Sequence, residues 1–383
     1  MINLTRLVGG KETVSALIRG DKETQGRWVS HAPVVVWNVT NICNLRCIHC
    51  YANSLASKPR GELTTEEGLK LIDNLASIGV PLLILSGGEP LLREDIFELC
   101  RHAVKSGIKT VFSTNGIDIN ESVVEALKRA GASYVGVSVD GLKKTHERIR
   151  GVQGCFDRAM EALELLKESR LKTGIRFTVN RRNIGELESI FDLMIEREIP
   201  RICIYHLAYS GRGMNVRGED LSTPERRWLL DFLIAKSLEF KGEVDADVET
   251  VNSPADGVYT YLKLWEVDKG LAARAMKILR KYGGDPTGYK VANIDHLGLV
   301  HPNQFWWDHM LGSVRNEKFN AVWFESRNHL LLKLRSKWKY VKGRCGRCRY
   351  KGVCAGYRLR ALRVHGDVWA EDPGCFLSEE EIS

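Results

Sequence analysis

Short apolar stretches rich in β-branched residues alternate with helix-like stretches across the first half of this 383-residue chain. Six of them have the length of a buried strand, and a helical pattern follows each of the first five. Parallel strands need such crossovers, so the alternation predicts an α/β fold with a parallel sheet. The predicted strands cover residues 33–40, 80–86, 109–114, 134–139, 174–179 and 201–207, with helices beginning near residues 64, 93, 120, 155 and 183.

Each predicted strand ends in a polar or glycine-rich turn. In chain order these turns read NICN, SGGEP, STNG, SVDG, VNRR and YSGRG. The carboxyl ends of parallel strands form the usual binding edge of α/β proteins, so the turns predict one shared site. The spacing leaves open whether the sheet is an open stack or a partial barrel.

After about Gly213 the alternation is expected to stop. Helical patterns cover residues 222–240 and 259–282, and residues 291–302 predict a hairpin that turns near 296–298. The N-terminus has no signal-peptide apolar region, and no apolar run approaches the roughly 20 residues of a membrane span. We therefore expect a cytoplasmic protein without a membrane partner.

Seven of the ten cysteines fall in two tight sets, which indicates metal or redox chemistry rather than disulfides. Cys43, Cys47 and Cys50 lie in CNLRCIHC, directly after the first predicted strand. Three thiolates can hold a 4Fe–4S cluster with one iron left open, and a zinc site completed by His49 is the alternative. The remaining single cysteines are expected to be buried: Cys100, Cys155 and Cys203.

The second set has the spacing C-x2-C-x5-C-x20-C. Four thiolates suit a structural zinc ion or a fully ligated iron–sulfur cluster equally well. The members of this set are Cys345, Cys348, Cys354 and Cys375.

A strongly basic run surrounds this second set. Residues 326–366 contain 13 Lys and Arg and no Asp or Glu, within a chain of net charge +8. The run is either a solvated face or a surface that attracts a polyanion. No standard nucleic-acid module is recognisable, so we expect no nucleic-acid partner, and a small polycarboxylate meets the same electrostatics.

The CX3CX2C spacing resembles the signature of the radical S-adenosylmethionine (SAM) enzymes. The resemblance covers roughly residues 33–210 and implies a partial (β/α)6 TIM-like barrel. It implies a 4Fe–4S cluster whose open iron chelates SAM and whose electron cleaves it to a 5′-deoxyadenosyl radical. It assigns SGGEP to the SAM amino group, and STNG and SVDG to its ribose and carboxylate. The implied SAM-binding residues are Gly87, Gly88, Glu89, Ser113, Asn115, Ser138 and Asp140.

The C-terminal region resembles the SPASM or shorter twitch extension of these enzymes, which implies an auxiliary 4Fe–4S cluster. The chain departs from a full SPASM pattern, because it lacks a cysteine pair near the hairpin and has Arg358 where another cysteine is expected. The implied division is an N-terminal extension (1–32), the barrel (33–213), a helical connector (214–290) and the auxiliary cluster domain (291–383).

Stretches such as ADGVYTYLK, ANIDHLGLVHPNQFWWDHM and GDVWAEDPGC resemble the siroheme-modifying radical SAM enzymes. The AhbC type removes two acetate groups from 12,18-didecarboxysiroheme to give iron-coproporphyrin. The NirJ type removes propionates toward heme d1, and a peptide maturase is a further alternative. The resemblance also implies an electron donor such as ferredoxin or flavodoxin.

A planar polycarboxylate would suit arginine forks and a stacking wall of aromatic rings. We therefore predict Arg347 and Arg349 as carboxylate ligands and Trp306 and Trp307, after Phe305, as the wall, although consecutive aromatics are more often core. His301, His206 or His309 is a candidate ligand of the siroheme iron, with a hydrogen-bonded structural histidine as the alternative.

Overall fold

The computed structural model describes residues 1–9, 32–57, 60–240 and 246–383. Most of the predicted N-terminal extension (residues 10–31) therefore lies outside the described residues. Within those ranges, no helix is both long and apolar enough to cross a bilayer.

One mixed sheet organises the described chain, in the order β1-β8-β7-β6-β5-β4-β3-β2-β9-β10-β11. Seven consecutive strands, β2 to β8, are parallel, and β9 joins parallel to β2. The strands are β1 Ile2–Asn3, β2 Val34–Asn38, β3 Leu82–Ser86, β4 Lys109–Thr114, β5 Tyr134–Ser138, β6 Thr173–Val179, β7 Arg201–His206, β8 Asp247–Val251, β9 Val291–Ile294, β10 Leu299–His301 and β11 Gly312–Ser313.

Helices follow the parallel strands as crossovers, and shorter ones build the C-terminal region. They are α1 Leu4–Val8, α2 Thr65–Ser77, α3 Ile96–Lys105, α4 Glu121–Ala130, α5 Lys143–Arg150, α6 Cys155–Glu168, α7 Leu187–Glu196, α8 Thr223–Glu239, α9 Ala255–Val267, α10 Lys269–Tyr282, α11 Phe319–Phe324, α12 His329–Leu334, α13 Gly343–Arg347, α14 Arg358–His365 and α15 Glu379–Ile382.

The six predicted strands are confirmed as β2 to β7, and the α/β class is confirmed with them. The predicted hairpin is also confirmed, as β9 and β10. The described strands form a linear series in which β1 and β11 are the two ends, so the sheet shows no pairing that closes it.

The expectation that the alternation stops after Gly213 is wrong, because β8 extends the parallel sheet beside β7. Its sequence, DVETV, places Asp247 and Glu249 at alternate positions, which hides the apolar pattern of a strand. These carboxylates accept hydrogen bonds from Asn3 at 2.8 and 3.3 Å. A distant part of the chain thus compensates the polar residues of this strand.

The single helix predicted over residues 259–282 is instead two helices, α9 and α10. Asp268 lies between them in an extended conformation, and its side chain accepts a hydrogen bond from the Leu271 N–H. An aspartate in this position caps a new helix better than it continues an old one.

Alternate strand residues point to opposite faces of the sheet. Val35, Trp37, Leu83 and Leu85 are fully buried in the main apolar core. Their neighbours Val34, Leu82 and Ile84 are only half-buried, as is Arg176 on β6. The inner face of the sheet therefore borders a cavity rather than a filled core.

Candidate active site

Residues from most of the polar strand ends line one cleft at the carboxyl edge of the sheet. The cleft has about 890 Å³ of non-protein space, including its part open to solvent. The structure brings the following predicted residues together there: Cys43, Cys47, Cys50, Gly87, Gly88, Ser113, Asn115 and Ser138.

The loop that carries the first three cysteines is tied down on three sides. Gly88 N–H donates to Thr40 O, and Glu89 N–H donates to Ile42 O, both at 2.8 Å. On a second side, Arg46 N–H donates to Arg150 O at 3.0 Å. These bonds join the turn after β3 and the end of α5 to the loop.

The third side is the segment after β7. Arg212 donates from Nε to Cys47 O at 2.9 Å and from Nη1 to Ser54 O at 3.0 Å. Its own N–H donates to Cys50 O at 2.9 Å. The loop thus takes its shape from hydrogen bonds to sequence-distant residues.

Polar donors surround the three sulfur atoms. Leu45 N–H donates to Cys43 Sγ at 3.4 Å, and Arg150 Nη1 donates to Cys47 Sγ at 3.7 Å. Cys50 Sγ lies 3.2 Å from Ser54 Oγ. Donors of this kind stabilise thiolates bound to iron, so the loop suits an iron–sulfur cluster.

Glu89 is buried and does not line the cleft. Its carboxylate accepts from Thr114 Oγ1 at 2.7 Å and from Asn115 N–H at 2.8 Å. Burial raises the pKa of Glu89 to about 7, against the opposing effect of these bonds. Glu89 therefore connects the SGGEP turn to the STNG turn.

Asp140 is also buried and lies behind the cleft wall. Its Oδ2 lies 2.5 Å from Arg150 Nη2 and 3.3 Å from His49 Nε2. Burial alone would raise the pKa of Asp140, but Arg150 and His49 outweigh it and hold the pKa well below its usual value. Asp140 orients the arginine that contacts Cys47.

The second cysteine set lies apart from this cleft, in the C-terminal region. Cys345, Cys354 and Cys375 lie close enough to repel one another as thiolates. Backbone N–H groups two residues onward donate to three of the set, at Cys348, Cys354 and Cys375. Leu45 and Cys43 show the same arrangement, so both sets share one pattern of sulfur hydrogen bonding.

The three single cysteines are buried, as expected. Cys100 Sγ donates to Ala130 O at 3.7 Å, which is the behaviour of a neutral structural thiol. All ten cysteines are free of disulfides. In the described ranges, no group of three or more His, Cys, Asp or Glu side chains has a geometry that could hold a single metal ion.

The predicted arginine ligands lie outside the cleft lining. Arg347 Nη2 lies 3.0 Å from Glu379 Oε2, and Arg349 Nη1 donates to Ser383 O at 3.0 Å. Much of the basic run is satisfied in the same way by acidic residues that follow it, such as the Arg360–Asp372 pair at 3.1 Å.

The predicted aromatic wall is divided between core and cleft. Trp306 is buried, whereas Phe305 lines the cleft with its ring 4.9 Å from the Tyr51 ring. Trp307 stacks on His301 at 6.2 Å. Phe305, Tyr51, Trp307 and His301 therefore form a connected aromatic layer, which reaches the cleft through Phe305 and Tyr51.

The candidate histidines have hydrogen-bond partners. His301 contacts His309 O at 3.0 Å and Asp295 Oδ2 at 3.1 Å. His206 lines the cleft, with its ring nitrogens 2.9 Å from Asp256 and 3.0 Å from Arg226.

Three arginines that sequence reasoning did not select also line the cleft. They come from the end of α5, the middle of β6 and the segment after β7. A charged residue inside the apolar stretch GIRFTV was the available signal for the second of them. They are Arg150, Arg176 and Arg212.

Residues 37–194 match the radical SAM superfamily model. The chain is 40% identical over 396 residues to Fe-coproporphyrin III synthase of Methanosarcina barkeri, covering 100% of this chain and 99% of that protein. This chain belongs to the radical SAM superfamily. It is therefore an enzyme of the radical SAM type.

Two further relatives cover most of the chain. Pre-heme d1 synthase of Dinoroseobacter shibae is 38% identical, over 91% of this chain and 87% of that protein. AdoMet-dependent heme synthase of Methanosarcina barkeri is 33% identical, over 91% and 97% respectively.

The fold is shared with solved radical SAM structures of low identity. SuiB of Streptococcus suis bound to S-adenosylmethionine has a TM-score of 0.71 at 18% identity, over 91% of this chain and 78% of that chain. The anSMEcpe structure with bound AdoMet and Cp18Cys peptide has a TM-score of 0.68 at 20% identity, over 91% and 95%. This likeness supports the SPASM-type arrangement of the fold.

Proposed function

We propose that this enzyme removes the two acetate side chains of 12,18-didecarboxysiroheme to give iron-coproporphyrin III. The observation that carries the proposal is the full-length identity of 40% to an Fe-coproporphyrin III synthase. Propionate removal toward heme d1 is the second candidate, because the identity to a pre-heme d1 synthase is 38%.

Cys43, Cys47 and Cys50 would hold a 4Fe–4S cluster, which supplies the electron for reductive cleavage of SAM when both are bound. Gly87, Gly88, Ser113, Asn115 and Ser138 would bind SAM, since they line the same cleft. Glu89 and Asp140 would keep these turns and Arg150 in position from behind.

Cys345, Cys348, Cys354 and Cys375 would hold an auxiliary 4Fe–4S cluster. A zinc ion draws its thiolates to about 2.3 Å around one centre, whereas each iron of a cluster takes its own thiolate. Backbone N–H groups donate to Cys348 and Cys354 as Leu45 N–H donates to Cys43, and this shared pattern supports the cluster. Arg358 Nη2 donates to Cys345 Sγ at 3.7 Å and would offset thiolate charge.

Arg347 and Arg349 are exposed and distant from the cleft lining, so their proposed role is to attract the polycarboxylate substrate. Trp307 and His301 would contribute to the layer at the opening, with Trp306 as its buried support. The proposed electron donor is a ferredoxin or flavodoxin. Ten free cysteines support a reducing compartment such as the cytoplasm.

The cluster assignment is tested by replacing Cys43, Cys47 and Cys50 together with Ala. The variant should form no 5′-deoxyadenosine from SAM under dithionite, because no thiolate remains to hold the SAM-binding cluster. The matched control is Cys100→Ala, a buried cysteine outside both sets. Continued SAM cleavage by the triple variant would overturn the assignment.

A further inference from the structure

A second cavity borders the inner face of the sheet beside the cleft. It has about 1040 Å³ of non-protein space, including its part open to solvent. Its walls are mainly apolar side chains from the inner faces of β2, β3 and β8. They include Val34, Val36, Leu82, Ile84 and Val251.

Four residues line both spaces, so the cavity and the cleft adjoin each other. They are Arg176, Tyr205, Asn252 and Gln304. A ligand that spans the two spaces would contact these four side chains. We call the second cavity the inner chamber.

Arg176 is the charged group at the junction. Its guanidinium lies 4.7 Å from the centre of the Tyr205 ring. Across the described part of the chain it has no hydrogen bond or ion pair with an acidic side chain. A half-buried arginine without an anion is unfavourable, and a ligand carboxylate would offset that cost.

The neighbouring strand leaves room for this side chain. A Cβ on Gly136 would lie 2.8 Å from Arg176 Cδ. The other charged residues of the chamber have close protein partners: Asp285 accepts from Thr287 Oγ1 at 2.7 Å, and Lys290 Nζ donates to Lys281 O at 2.6 Å. Among these groups, Arg176 is the one without such a partner in the described residues, which leaves it available to a ligand anion.

We propose that the inner chamber holds the macrocycle of the substrate, with one of its side-chain carboxylates paired to Arg176. This inference rests on the proposed function, because it takes the substrate to be a tetrapyrrole polycarboxylate. The apolar walls would contact the ring, and the guanidinium fork would donate two hydrogen bonds to a carboxylate. Arg176 thus fixes which edge of the ring faces the cysteine loop.

The test is an anaerobic optical titration of the reconstituted enzyme with 12,18-didecarboxysiroheme and with its methyl ester. Arg176→Gln should weaken binding of the free acid about tenfold to a hundredfold, because this is the affinity that a charge-assisted hydrogen bond contributes. It should change ester binding by less than about threefold, since the ester has no carboxylate to pair. Arg176→Lys should bind the free acid with an affinity between those of the wild type and of Arg176→Gln.

Arg201→Gln is the matched control, because Arg201 also lies over a tyrosine ring, Tyr134, at 5.0 Å but is paired with Asp247. This control should bind the free acid as the wild type does. Equal losses for acid and ester, or a loss of SAM affinity as large as the loss for the tetrapyrrole, would overturn the role of Arg176. Failure of the wild type itself to bind the tetrapyrrole would instead contradict the proposed function.

Discussion

Gly88 leaves no room for a side chain, because its backbone packs closely against the backbone of residues 41 and 42. A Cβ at this position would lie 2.1 Å from Ile42 O, and one at Gly87 would lie 2.5 Å from Thr40 O. The two glycines therefore let the SGGEP turn hydrogen-bond to the strand end that leads into the cysteine loop. The resemblance assigned the SGGEP turn to the SAM amino group, and the described contacts add this close approach of two backbone segments.

Gly88→Ala should force the turn away from residues 40–42 and lower the free energy of unfolding by about 1–3 kcal/mol, as overpacking does. It should also lower the iron retained after reconstitution, because the loop loses one of its three anchors. Thermal unfolding and iron analysis measure the two effects. Gly218→Ala is the control, since nothing lies within 4 Å of a Cβ there. Wild-type iron content in Gly88→Ala would contradict this account.

In the C-terminal segment, acidic residues pair with the basic run that precedes them. The basic run of α12 to α14 has no acid of its own, but Asp367, Asp372 and Glu379 follow it and pair with its basic side chains. Counting charge within the run therefore overstates the free positive charge. The sequence does contain the compensating acids, and only the fold shows that they turn back onto the run.

The double variant Cys348→Ala, Cys354→Ala should distinguish an auxiliary iron–sulfur cluster from a structural zinc ion. Reconstituted wild type should contain about eight irons, and the variant about four. The variant should still cleave SAM with dithionite but fail to complete product formation, because we propose that the auxiliary cluster accepts electrons from the substrate after hydrogen abstraction. Cys100→Ala should keep both iron and product. Four irons and one zinc in an active wild type would contradict the prediction.

At the scale of the whole molecule, local patterns predicted the parallel sheet and the common edge where its turns meet. Six strands were predictable because each is rich in β-branched and other apolar residues. β8 was not, since its carboxylates are paired with Asn3 and Arg201 from distant parts of the chain. Three arginines of the cleft were missed for a similar reason, because their proximity to the cysteine loop depends on tertiary contacts.

The domain boundaries and the roles of individual site residues remain predictions. What the structure adds is an apolar cavity that adjoins the cleft of Cys43, Cys47 and Cys50, with Arg176 lining both spaces. In our proposal these spaces hold a reactant that is both larger and flatter than SAM. The identity of that reactant is open to direct measurement.

The mass of the product identifies this reactant directly. Anaerobic enzyme with SAM, dithionite and 12,18-didecarboxysiroheme should yield iron-coproporphyrin III, with two acetate side chains lost and 5′-deoxyadenosine formed. Product that keeps its acetates and loses propionates would show instead that the enzyme acts toward heme d1. Unchanged tetrapyrrole, in an enzyme that cleaves SAM and contains its iron, would contradict the account.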